Sequence, residues 1–122
     1  MKAIVGIDPG LTTGLCFFRD GEFVDGEEAM TTEDIGDYIA LRNPDLVVAE
    51  DYIVGKRPSR PKEPLMVLGA VAFICGDRDI PLVIQSPSVL SFMKGKAVGH
   101  HKSKHVQSAC SHVLYYLKKA GR

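Results

Sequence analysis

The chain is expected to fold as one α/β domain: a mixed five-stranded sheet, three antiparallel strands followed by parallel ones, flanked by helices. Three observations predict this. Short apolar runs closed by turn residues recur along the 122 residues, which is how buried strands read. The first three runs are joined by turns too short for a crossover, so they pair antiparallel. The later runs alternate with helical patterns, the connection that parallel neighbours require. A chain of this length builds one core, so residues 1–122 are read as a single domain.

Each element has its own signal. Lys2–Asp8 (KAIVGID) is an apolar run ending in an acid, and Pro9-Gly10 breaks it. Residues 14–18 (GLCFF) resume as a second strand. Asp20-Gly21 is a hairpin turn that sets Glu22–Ala29 antiparallel to it. Thr31 or Thr32 caps a helix with Glu33 and Asp34 in its first turn, running to about Arg42 before Pro44. Asp45–Asp51 (DLVVAED) is another strand with a carboxylate end. Residues 55–64 (GKRPSRPKEP) form a basic, proline-rich loop outside regular structure. Leu65–Cys75 is apolar nearly all round, a helix buried on more than one side that Gly76 can end. Pro81–Gln85 is the fifth strand, residues 95–101 (GKAVGHH) a flexible basic stretch, and Ser103–Lys119 an amphipathic final helix.

Composition narrows the function classes. Hydrophobic residues make up 45% and charged residues 25% of the chain, as in ordinary soluble domains. No apolar run approaches the roughly 18 residues of a membrane span, and the N-terminus lacks a signal-peptide layout. A soluble, cytoplasmic protein is expected. Cys16, Cys75 and Cys110 form no CxxC pair and read as buried thiols rather than a disulfide or zinc site. The net charge of zero hides a split: residues 1–55 hold twelve Asp/Glu and three Lys/Arg, residues 56–122 three and twelve. That split suits a fold that gathers acids for metal and offers bases to a polyanion; ordinary surface pairing would also produce it.

Two acids occupy matching places. Asp8 ends the first strand and Glu50 lies at the end of the fourth. If those strands are neighbours, their backbones run about 4.8 Å apart, close enough for both carboxylates to reach one metal cluster. Carboxylates suit Mg²⁺ or Mn²⁺, and such ions promote phosphodiester hydrolysis. Either acid alone would more simply solvate a sheet edge. Two on apolar strands favour a function, because an unpaired buried charge is costly.

The segments GIDPGLTTG (residues 6–14) and VVAEDY (residues 47–52) carry a resemblance. With the element order they resemble the RuvC family of Holliday junction resolvases, of the RNase H-like superfamily, along essentially the whole chain. The resemblance implies a crossover-junction endonuclease holding Mg²⁺ or Mn²⁺ at Asp8 and Glu50. It further implies branched DNA, above all four-way junctions, as the partner and a homodimer built on the Leu65–Cys75 helix; plain core packing is the other reading of that helix. Without long insertions, the chain is similar to phage-borne resolvases. The first segment also resembles the phosphate loop of actin-type ATPases, but those use two such domains. Related RNase H-like proteins process RNA, which leaves an RNA substrate as a lesser alternative.

The last helix departs from the pattern. The family carries a D/H-x-x-D-A stretch there, and residues 105–109 read HVQSA. His105 matches the first position, as metal ligand or as base to the attacking water. Ser108 falls where Asp is expected, and no carboxylate follows Asp79. A natural or introduced loss of that acid would leave a domain that binds junctions without cutting. Alternatively, Asp8, Glu50 and His105 suffice. His112 reads as a half-buried helical histidine. His101 and His105 have the spacing of a helical zinc pair, with no third ligand in sight. For DNA contact the candidates are Lys56, Arg57, Arg60 and Lys62 in one loop, and Lys94, Lys96, Lys102 and Lys104 in the other. Tyr52 could stack on an opened base, whereas Phe92 is better read as core.

Overall fold

The computed structural model describes residues 2–51, 62–93 and 102–121. The strands are β1 (Ala3–Asp8), β2 (Thr13–Arg19), β3 (Glu22–Ala29), β4 (Leu46–Glu50) and β5 (Leu82–Gln85). The helices are α1 (Thr32–Arg42), α2 (Lys62–Asp77), the short α3 (Val89–Phe92) and α4 (Lys104–Gly121). The strands form one sheet in the order β3-β2-β1-β4-β5. β1, β2 and β3 pair antiparallel, and β4 pairs parallel with both β1 and β5. This is the mixed sheet expected from the strand spacing.

The local reasons are visible. Asp20 and Gly21 both adopt positive φ, 52° and 85°, as a two-residue hairpin turn demands. Thr31 caps α1, its hydroxyl accepting from the Asp34 amide at 3.0 Å. Asn43 closes that helix in the left-handed region, its amide donating to the Ile39 carbonyl at 2.8 Å.

Three boundaries differ from expectation. Residues 62–64 belong to α2 rather than to the preceding loop, because a proline in the first helical turn gives up no intrahelical bond. Gly76 is helical and does not end α2. The turn of helix at α3 was not anticipated; buried Val89 and Met93 anchor it to the core.

Side chains alternate between the two faces of the sheet. Val5, Ile7, Leu15, Phe17, Val47 and Ala49 pack toward α1 and α2 in one core. Ile4, Cys16, Phe18, Leu46 and Val48 pack under α4 in the other. The three cysteines are free and buried. Among the described residues, no helix is long and apolar enough to cross a membrane.

Candidate active site

The strand pairings align five residues in one row across the sheet. Glu28 on β3 faces Gly14 on β2, and Gly14 faces Asp8 on β1. Ile7 pairs with Ala49, which sets Asp8 beside Glu50, and Glu50 pairs with Gln85 on β5. Residues level with each other on adjacent strands share a face, and this row lies on the face that α4 covers.

α4 crosses the row and meets every strand in turn. Ser103 caps the helix, its hydroxyl accepting from the His105 and Val106 amides at 3.1 and 3.2 Å while donating to Glu28. The backbone at His105 rests directly on Gly14; a Cβ there would collide with the His105 carbonyl. Gly6 makes the same allowance one step down β1, where a Cβ would lie 2.7 Å from the Ala109 carbonyl oxygen. Only glycine permits so close an approach. Seated this deeply, α4 delivers Ser108 to Asp8 and His112 to Glu50 and Gln85.

Asp8 is the perturbed group. Its carboxyl is pushed up to about 7, first by burial, then by the negative charge of Glu50; the hydroxyl of Ser108 opposes both by donating to the carboxylate. Burial and a like charge both disfavour ionisation. Glu50 is only 17% exposed in its side chain, and its Oε1 lies 2.8 Å from Nε2 of His112, which is fully buried. The other imidazole nitrogen, Nδ1, lies 2.8 Å from Oε1 of Gln85. Among the described residues, no Lys or Arg pairs with Asp8 or Glu50.

The anticipated residues fare differently. Asp8, Glu50 and Ser108 come together. His105 has an exposed side chain on the first turn of α4, and its backbone rests on Gly14. His112, read from sequence as an incidental half-buried residue, is instead wholly buried between Glu50 and Gln85. No spacing rule pointed to it, because its partners lie 62 and 27 positions away. Lys102 and Lys104 flank the start of α4 with exposed side chains. Lys56, Arg57, Arg60, Lys94 and Lys96 lie outside the described residues, as do Tyr52 and His101, and of Lys62 only the backbone is described. Phe92 is not core: it is 69% exposed and stacks on Tyr115.

Two half-buried carboxylates with no Lys or Arg partner among the described residues form a negative pair that a hard cation would neutralise. The oxygen donors of Asp8 and Glu50 are of the kind that would suit Mg²⁺ or Mn²⁺. Among the described residues, no three His, Cys, Asp or Glu side chains gather to hold a metal. A cavity of about 140 Å³ opens elsewhere, between the β1–β2 turn and the starts of α1 and α2. Its largely apolar lining, including Leu11, Met30 and Met66, holds none of the row.

No protein-family model matches the sequence, and no curated protein sequence matches it. Solved structures do. A T. thermophilus RuvC in complex with Holliday junction substrate superposes with a TM-score of 0.80 at 16% identity, over 99% of this chain and 97% of that one. A second Thermus thermophilus RuvC structure gives 0.74 at 16% identity, over 98% and 96%. The yeast mitochondrial Holliday junction resolvase Ydc2 gives 0.51 at 13% identity, over 91% and 74%. With its mixed sheet and flanking helices, the chain has the RuvC-like form of the RNase H fold.

Proposed function

We propose that the chain is a divalent-cation-dependent endonuclease that cuts branched DNA, with four-way junctions as its preferred substrate. The observation that carries this reading is the half-buried Asp8–Glu50 pair, which has no Lys or Arg partner among the described residues and sits on adjacent strand tips. The likeness to a RuvC bound to a Holliday junction supports the choice of substrate. A divalent ion held by Asp8 and Glu50 would activate water and offset the charge that develops on the phosphate. Ser108 orients the Asp8 carboxylate by hydrogen bonding. His105, exposed on the first turn of α4, is the candidate to take a proton from the attacking water. Lys102 and Lys104, with the lysines and arginines at 56, 57, 60, 94 and 96, would bind the phosphates.

Symmetric cutting of a four-way junction calls for two sites, and α2 offers a surface for pairing. Leu65, Met66 and Phe73 on that helix are 46%, 59% and 75% exposed, an apolar stripe of the kind that marks an interface. A two-fold homodimer through α2 would cover it.

The test is cleavage of a synthetic four-way junction in Mg²⁺ or Mn²⁺. Nicking should vanish with EDTA. In Asp8→Asn it should fall by more than the roughly hundredfold that loss of an outer ligand partner can cost. Absence of metal-dependent cleavage of any branched DNA would sink the reading.

Ser108 favours a second reading. It meets Asp8 with a hydroxyl where the resembled family has a carboxylate, and no third acid joins the pair among the described residues. A domain that binds junctions tightly and cuts none would follow. Ser108→Asp should then create cleavage; a folded, junction-binding Ser108→Asp protein that remains inert would exclude loss of this acid as the cause.

A further inference from the structure

We propose that Gln85 and His112 are positioning residues for Glu50, a buried relay from the edge strand through α4 that fixes the carboxylate for a divalent cation. The inference rests on the reading of Asp8 and Glu50 as cation ligands and adds to it the groups that hold one ligand still.

The geometry is a chain of three side chains from three elements. Gln85 Oε1 lies 2.8 Å from His112 Nδ1, and His112 Nε2 lies 2.8 Å from Glu50 Oε1. An ionised carboxylate can only accept, so the Nε2 proton is directed at Glu50. The amide of Gln85 can present either its oxygen or its NH₂ group, so it satisfies Nδ1 whether or not that nitrogen carries a proton. Both imidazole nitrogens are thereby engaged, which leaves His112 no lone pair for a metal. Its role is to hold Glu50, not to bind the ion.

That hold matters because glutamate is long and rotamer-rich. With Oε1 tied to His112, Oε2 is the oxygen left to offer. Hydrogen-bonded partners of this kind orient metal ligands and commonly set affinity. The site of the relay is also suited to the task. His112 is 0% exposed, and β5 is an edge strand, so Gln85 braces the ring from the side where the sheet ends.

The alternative is a buried histidine that has merely found acceptors, and Mn²⁺ affinity separates the two. Binding is measured by calorimetry and electron paramagnetic resonance on the full chain without DNA, with folding followed by circular dichroism. In His112→Asn the shorter amide reaches Gln85 but not Glu50, and Mn²⁺ affinity should drop about 10- to 100-fold. His112→Gln places an amide donor near the Nε2 position and should retain most of the affinity. Gln85→Leu, which leaves the His112–Glu50 contact unbraced, should fall between them, and it carries the test if His112→Asn does not fold. Wild-type affinity in folded His112→Asn or Gln85→Leu would overturn the relay. Because no DNA is involved, a chain that binds Mn²⁺ in the expected pattern yet cuts no junction supports the relay and overturns the nuclease reading. A wild-type chain that binds no Mn²⁺ overturns both.

Discussion

Two carboxylate clusters lie on opposite faces of the same sheet, and their chemistry is opposed. On the α1 face, Asp25 accepts from the Tyr38 hydroxyl at 2.6 Å and from Arg42 Nη2 at 3.0 Å. The Arg42 guanidinium also lies over the Tyr38 ring, 3.5 Å from its centroid. Burial, reinforced by Asp25, pushes the Tyr38 phenol well above its ordinary range, so it stays a donor. Every charge has a partner, and the cluster ties α1 to β3. On the α4 face, Asp8 meets a second carboxylate and a hydroxyl, and no guanidinium or ammonium is paired with it among the described residues. The first arrangement holds the fold together. The second works against the fold and is the kind of strain that binding sites retain.

The comparison can be broken in three ways, taken from the largest effect down. Mn²⁺ at a hundred times its dissociation constant should stabilise the wild-type chain by about 2.7 kcal/mol and leave Asp8→Asn unmoved in thermal melts. An equal shift in both would place the ion elsewhere. Without cation at pH 7, Asp8→Asn should itself stabilise, by about 1–3 kcal/mol, since it deletes a disfavoured charge. Arg42→Ala should do the opposite, costing about 1–2 kcal/mol because Asp25 is partly exposed. Matching signs in urea titrations would erase the distinction between the clusters. The smallest effect is a slope. Asp8 is raised from 3.8 to about 7, so its contribution to stability is fully present below pH 3.8 and is lost as pH climbs through 7. The melting temperature of the metal-free chain should carry a downward component across that window that is missing in Asp8→Asn.

Much of this was legible in the chain. The apolar runs of KAIVGID and DLVVAED placed both acids at strand ends, and the short connections dictated which strands run antiparallel. The site was legible only in part. Asp8 announced itself through the Pro9-Gly10 break, and Glu50 through its matching place on β4. His105 and Ser108 entered as matches to the D/H-x-x-D-A stretch of the resembled family; the absence of a side chain at Gly14 lets the α4 backbone settle there, with the His105 ring exposed. The face turned to the acids instead carries Ser108 and His112, at i and i+4. Gln85 had no local signal at all. Its meaning comes only from the pairing of β4 with β5.

The passage of α4 over all five strands makes that helix a ruler. Ser103, His105, Ser108 and His112 touch β3, β2, β1 and β4 in sequence, each spacing fixed by a rise of about 1.5 Å per residue. One residue inserted between Ser103 and His112 would turn everything beyond it by about 100° and aim the distal contacts at the wrong strands. Length variation should therefore be tolerated ahead of Ser103 and excluded from the nine residues that follow it.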